Sequence, residues 1–333
     1  MEAATPTVGV IGGGSWATAL MKILSTNLPK VHWWMRNEKA IAHIGEFGHN
    51  PHYIQAIEFD RDRIEVTSDM QAVIDKCDVL VFAIPSAFLD ETVQEYQITG
   101  LEDKILFSAI KGMINKYDAI PARYFHKEFG TPYNKIGLIC GPCHAEEVAQ
   151  ERLSYLTSAC PDPEIAEMMA GMLKTRYINT FTSEDVFGAE IAAVLKNVYA
   201  LASGICSGLN YGDNFQAVLV SSALREMKRF IDTVHEIPRN VQTSPYLGDL
   251  LVTAYSKYSR NRMFGMMVGK GYSVKMIALE MNMIAEGYYA AKGIHGMNAH
   301  FKADIPIAES VYQVLYENKP PGLVMKQLAE RLR

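Results

Sequence analysis

Cysteine is scarce in this chain: Cys77, Cys140, Cys143, Cys160 and Cys206 are all it has in 333 residues. An odd, thinly spread set is not a disulfide framework. Basic charge is not in excess either. With 32 Lys and Arg against 37 Asp and Glu, the net charge is −5, which argues against a basic face for nucleic acid or anionic lipid. No uninterrupted apolar run is expected to cross a bilayer, because the longest helical candidate is interrupted by Glu190, Lys196 and Asn197. The first residues, MEAATPTVGVIG, lack a basic segment before the apolar one and a small-residue cleavage site. No secretory signal is expected, and cytoplasm is the expected compartment. Repeats, low-complexity tracts and flexible linkers are also missing. What remains is a globular chain with 49% hydrophobic and 21% charged residues, long enough for about two domains.

Short apolar runs alternate with helical patterns in the first half. Residues 7–12, 31–35, 64–67, 79–84, 105–109 and 136–140 read as strands, and 153–160 and 177–182 as further, edge-type strands. Their apolarity is continuous rather than alternating, the pattern of a parallel sheet covered by helices on both faces. From about Ser183 helical periods take over, at 185–207, 215–234, 249–258, 274–281, 305–316 and 322–332. The change marks a domain boundary, with residues 1–183 in the sheet domain and 184–333 in an all-helical one.

The first strand runs into Gly12-Gly13-Gly14-Ser15-Trp16-Ala17. This is G-x-G-x-x-A between strand and helix. Gly12 permits the tight turn, Gly14 lets a pyrophosphate approach the backbone, and Ala17 allows close helix–strand packing, with the phosphates on the helix N-terminus. A dinucleotide cofactor is therefore expected. The second strand ends in Trp33-Trp34-Met35-Arg36 without the acid that reads the ribose of NAD, although Glu38 follows. Arg36 suits a 2′-phosphate, so both NAD and NADP stay open. Lys111 follows the fifth strand, where side chains point into the ligand crevice of an open sheet.

Cys140-Gly141-Pro142-Cys143 has the spacing of a thioredoxin-like redox motif. It comes after a full set of dinucleotide-fold strands, so the better reading is a turn whose backbone and Cys143 face the crevice. Gly248-Asp249-Leu250 and Ser259-Arg260-Asn261-Arg262 lie on turns of the helical half, the second at a helix start suited to clamping phosphate oxygens. In the run Ile191 to Ile205, Lys196 is the sole charge and shares a helix side with Ala189, Ala193 and Ala200. Either it snorkels at the helix edge, or burial lowers its pKa and makes it an acid or base. Asp249 is a partner for it.

Nine segments in order resemble NAD(P)-dependent glycerol-3-phosphate dehydrogenase over nearly the whole chain. They are GGGSWATAL, Asn50-x-x-Tyr53, SAIKG, GPCHAEEV, EIAAVLKN, GLNYGDN, LGDLLVT, SRNRMFG and Ala285-Glu286-Gly287. The resemblance implies a doubly wound Rossmann-type sheet followed by an all-helical domain of the 6-phosphogluconate-dehydrogenase-like kind. It implies NAD(P)H as cofactor, no metal, a triose phosphate as small-molecule substrate, and a role in glycerophospholipid synthesis. A homodimer is compatible with it; nucleic acid and an integral membrane segment are not expected.

The resemblance makes Lys196 the catalytic acid/base. It places Lys111, Gly141, Cys143, Asp249, Ser259, Arg260 and Asn261 around the substrate. It assigns cofactor contacts to Gly12, Gly14, Ser15, Trp16, Arg36, Tyr53, Lys111, Ala145, Arg260, Ile284 and Glu286. Three positions depart from the family pattern: Cys143 replaces the usual Ser or Thr, Ala254 a frequent Cys, and residues 243–247 are poorer in small residues. A cofactor-binding sensor without turnover would not need Lys196. The alternative is a related NAD(P)-dependent reductase of another small phosphorylated or carboxylated carbonyl compound; the Ser259–Arg262 cluster favours a phosphate but also suits a carboxylate.

Overall fold

The computed structural model describes residues 5–117, 119–281 and 285–332. The chain divides into two compact units. One comprises residues up to Ile110 with Pro121–Val186; the other comprises Lys111–Ile120 with the residues from Phe187 on.

The first unit alternates strands and helices. In chain order these are β1 (Val8–Ile11), α1 (Ser15–Asn27), β2 (Val31–Trp34), α2 (Glu38–Phe47), β3 (Ile64–Thr67), α3 (Met70–Lys76), β4 (Val79–Phe82), α4 (Ser86–Tyr96), β5 (Ile105–Ser108), α5 (Pro121–Phe129), β6 (Ile136–Cys140), α6 (Ala145–Ala149), β7 (Ser154–Ala159), α7 (Pro163–Leu173) and β8 (Ile178–Ser183). The sheet order is β3-β2-β1-β4-β5-β6-β7-β8. β1 through β6 pair in parallel, β7 runs antiparallel to β6, and β8 runs parallel to β7 at the edge. Every residue of β1, β2 and β4 is buried, which is why their sequences show no alternation. Trp33 illustrates how a polar atom survives there. Its ring is fully buried, and its indole N–H donates to Gly12 O at 2.7 Å. The strand order reverses between β1 and β4, so the ligand crevice of such a sheet opens beyond the carboxyl ends of these two strands.

The second unit is helical: α8 (Val186–Gly208), α9 (Asp213–Val234), α10 (Asp249–Tyr255), α11 (Arg260–Gly269), α12 (Val274–Glu280), α13 (Glu286–Phe301), α14 (Pro306–Tyr316) and α15 (Pro321–Arg331). Its core is built on α8, whose Leu195, Val198, Leu201 and Ile205 pack with Phe230, Phe264, Ile294 and Val311. Contrary to the expectation from its charges, α8 is long and apolar enough to cross a membrane; yet 89% of its most apolar window is buried inside the protein. It is the core helix of this unit.

Two helices, α11 and α13, go beyond the apolar periodicity, and glycine is the reason. Gly204 and Gly208 of α8 face Gly265 and Gly269 of α11. A Cβ on Gly204 would come within 2.1 Å of Arg262 O, and one on Gly265 within 2.2 Å of Leu201 O. Backbone meets backbone at this crossing, so no side chain is there to mark a buried face. In α13, Gly287 and Gly293 are likewise fitted against Asn197 and Met113. Met113 and Ile120 belong to the helical core, which explains why the short segment following β5 clusters with that unit.

Candidate functional site

In the sheet unit, the turn after β1 is made for a phosphate. Gly12 has φ +140°, and a Cβ there would stand 2.5 Å from Ala83 O; only glycine fits both conditions. Gly14 is the opposite case, since a Cβ would meet nothing within 4 Å. Gly14 N-caps α1 without a side-chain hydrogen bond, and no acid occupies the first turn. The helix amides therefore face open space that an anion can fill. Asn50 buttresses the turn. Its buried carboxamide donates to Thr18 Oγ1 at 2.9 Å and Gly13 O at 3.3 Å, while its Oδ1 accepts from the N–H groups of His52 and Tyr53. These residues fit a dinucleotide.

The other expected cofactor residues of this unit surround that frame in sequence. Ser15 and Trp16 open α1 and are half-buried; Tyr53 is exposed. Arg36 is exposed just past β2, with Asn37 capping α2 through a hydrogen bond to Ala40 N. Gly141 follows β6 with φ +119°, where a Cβ would press 2.8 Å from Tyr155 O. Cys143 is buried, and Ala145 begins α6. Cys140 is buried as well, with its thiol donating to Thr157 O at 3.9 Å.

In the helical unit, Lys196 and Asp249 are both buried and form a direct ion pair. Lys111 approaches the other carboxylate oxygen of Asp249 at 3.6 Å. Burial pulls the Lys196 pKa down to about 7; Asp249 opposes the shift and Lys111 reinforces it. The sequence thus places a lysine in α8 whose ammonium and amine forms are both accessible near neutrality.

A second layer orients this group. Asn197 donates to Lys111 O at 2.8 Å and accepts from Asn261 Nδ2 at 2.9 Å. Asn261 Oδ1 in turn accepts from Gly287 N at 2.8 Å. One chain of carboxamides therefore joins the Lys111 segment, α8, α11 and α13. Ser259 is buried and caps α11 through a bond to Arg262 N; Arg260 is exposed on the first residue of that helix. Glu286 begins α13, and Ile284 lies outside the described residues. Asn197 and Thr253, whose hydroxyl donates to Asp249 O at 2.6 Å, were not singled out from sequence. The signal for Asn197 was its place beside Lys196, since a buried carboxamide needs partners. Among the described residues no group of three or more His, Cys, Asp or Glu could hold a metal ion.

Comparison with known proteins adds the family. Residues 7–166 match the N-terminal family of NAD-dependent glycerol-3-phosphate dehydrogenase, and residues 185–326 match its C-terminal family. A glycerol-3-phosphate dehydrogenase [NAD(P)+] from Chlorobium limicola is 30% identical over 325 residues, 97% of each chain. One from Listeria innocua is 33% identical over 94% of this chain and 92% of that protein. Among solved structures, glycerol-3-phosphate dehydrogenase from Coxiella burnetii superposes with a TM-score of 0.89 at 24% identity, covering 98% of this chain and 99% of that one. The Saccharomyces cerevisiae enzyme does so with 0.80 at 25% identity, covering 97% and 99%.

Proposed function

The chain belongs to the NAD-dependent glycerol-3-phosphate dehydrogenase family, and from that premise we propose that it reduces dihydroxyacetone phosphate reversibly to sn-glycerol 3-phosphate with NAD(P)H, supplying the glycerol backbone of phospholipids. The observation that carries this reading is the buried Lys196–Asp249 pair with Lys111 beside it.

When bound, the nicotinamide supplies the hydride. The remaining work falls to side chains. Reduction of the carbonyl leaves negative charge on its oxygen, and Lys196 donates its Nζ proton there; in the reverse direction it takes the proton back. A pKa of about 7 suits both directions. Asp249 holds Nζ in place, and Lys111 adds positive charge beside the developing alkoxide. Arg260, with the first-turn amides of α11, would bind the remote phosphate, whose binding energy positions the carbonyl. Asn261 has its carboxamide committed to Asn197 and Gly287, so its part is to hold α11. Gly141, Cys143 and Ser259 complete the substrate contacts in this reading.

Cofactor contacts come from Gly12, Gly14, Ser15, Trp16, Tyr53, Ala145 and Glu286, with Arg36 on a 2′-phosphate. Net charge −5 supports a small-molecule enzyme that takes no nucleic acid. A cytoplasmic enzyme, free of integral membrane segments and assembling as a homodimer, belongs to the same proposal. The test is cofactor oxidation with dihydroxyacetone phosphate against unphosphorylated dihydroxyacetone. Preference for the phosphorylated ketone is expected; equal turnover of the two would overturn the phosphate clamp and the substrate with it.

A further inference from the structure

The C-terminus of α2 and the turn after it place two histidines together for no purpose the reaction supplies. His43 sits on α2, and Gly48 ends the helix in the left-handed region at φ +75°. The turn is held by Phe59 N donating to Gly48 O at 2.7 Å and by Arg61, whose guanidinium bonds Gly45 O and Glu46 O. The chain therefore folds back, and His49 Nε2 comes to lie 3.1 Å from His43 Nε2. Both rings are half-buried and so reachable from solvent. The Phe47 ring packs on His43 at a centroid distance of 4.6 Å.

We propose that His43 and His49 form a two-nitrogen chelate for a divalent transition-metal ion such as Ni2+ or Zn2+, with water completing the coordination. Two metal–nitrogen bonds of about 2.0–2.1 Å to atoms 3.1 Å apart subtend about 98°. That angle lies between the right angle of octahedral and the wider angle of tetrahedral coordination, so neither ring has to move far. The outer contact also fits. His49 Nδ1 lies 3.3 Å from Phe47 O; a carbonyl only accepts, so the proton sits on Nδ1 and leaves the Nε2 lone pair for a ligand. In the metal-free protein His43 Nε2–H donates to that lone pair. Metal binding needs only that this proton move to His43 Nδ1, with no change in charge on either ring. Imidazole nitrogen selects Zn, Cu and Ni over Mg or Ca.

The position gives the ion a consequence. Residue 50 follows directly, and Asn50 holds Gly13 O and Thr18 Oγ1 at the phosphate turn. A metal across His43 and His49 fixes the stretch that carries Asn50, and so acts on cofactor affinity from outside the cofactor contacts. This consequence rests on the dinucleotide reading; the metal site does not.

Calorimetric titration of Ni2+ into the full-length protein tests the site. One ion per chain is expected, with affinity falling about tenfold or more in both His43→Gln and His49→Gln, a loss at least as large as that from removing an outer-shell partner. Unchanged Ni2+ binding in both variants, or none in the parent protein, would overturn it. NADH titration with and without saturating Ni2+ tests the coupling. A shifted dissociation constant in the parent that vanishes in His49→Gln supports it; an identical constant with and without the ion overturns it. Failure of NADH to bind at all would instead refute the dinucleotide reading, and leave the Ni2+ titration to stand or fall by itself.

Discussion

Asn261 Nδ2 donates to Asn197 Oδ1 at 2.9 Å, one residue beyond Lys196 and across 64 positions of sequence. Because the other end of the Asn261 carboxamide accepts from Gly287 N, this single side chain sets the start of α11 and of α13 against the helix that carries the proposed acid. Asn261→Ala leaves a buried N–H and a buried carbonyl oxygen unsatisfied, at about 1–3 kcal/mol each. The start of α11 then loosens. The expected outcome is a rise of about tenfold or more in KM for dihydroxyacetone phosphate, with NADH affinity weakened as well, because Glu286 at the start of α13 is among the proposed cofactor contacts. Steady-state kinetics with binding titrations decide this; a loss confined to thermal stability, with KM intact, would show the residue to be structural only.

Lys196→Ala should lower kcat by about 10²–10⁴-fold, the usual cost of losing a positioned acid, without weakening cofactor binding. The pH profile carries a sign. With a pKa of about 7, reduction needs the ammonium and should decline as pH rises through neutrality. Oxidation needs the amine and should increase over the same range. Parallel profiles in the two directions would remove Lys196 from proton transfer.

Arg36→Asp should move preference from NADPH towards NADH, because β2 is followed by Met35 and Arg36 rather than by an acid that reads the ribose hydroxyls, and the first acid, Glu38, already lies in α2. The ratio of kcat/KM values for the two cofactors measures it. A ratio that stays put would mean that Arg36 does not meet a 2′-phosphate.

Gly265→Ala should destabilise the helical unit although alanine is the better helix former by about 1 kcal/mol. The added methyl would lie 2.2 Å from Leu201 O, a backbone atom that cannot rotate away. α11 and α8 must then separate, a cost of about 1–3 kcal/mol for overpacking. Urea unfolding of the two proteins gives the sign directly, and a Gly265→Ala variant more stable than the parent would contradict the close crossing.

Legibility from sequence followed the physics of each feature. β1, β2 and β4 were legible because burial on both faces leaves unbroken apolar runs such as Val79–Phe82. The phosphate turn was legible because its glycines are demanded by local geometry. The start of α11 was legible in Ser259–Arg262, but the rest of that helix and α13 were not, because Gly265, Gly269, Gly287 and Gly293 replace the apolar side chains that mark a packed face. Lys196 stood out as a lone charge in an apolar helix. Its outer partners did not, since Asn197 finds Lys111 O and Asn261 across 86 and 64 residues, and no local pattern carries such pairings. The His43–His49 contact depends on a left-handed residue at Gly48, which composition does not reveal.

Glu226 gives the last prediction, on stability against pH. It lies on α9 with its carboxylate buried, accepting from the N–H groups of Ile307 and Ala308 in the first turn of α14 at 2.7 and 2.9 Å. Burial pushes its pKa up from 4.5 to about 7; the two amides, Arg229 and the Tyr199 hydroxyl oppose the shift without cancelling it. A folded-state value above the unfolded one means that the folded protein binds the extra proton. The stabilisation this provides is complete below the unfolded value and is lost as pH rises through about 7. Glu226→Gln removes the titration while keeping the size. The difference in unfolding free energy, parent minus variant, should therefore fall between pH 4.5 and 7, by up to about 3 kcal/mol. Urea denaturation at pH 5 and pH 7.5 measures it. A constant difference would mean that Glu226 stays ionised at the N-terminus of α14 over the whole range.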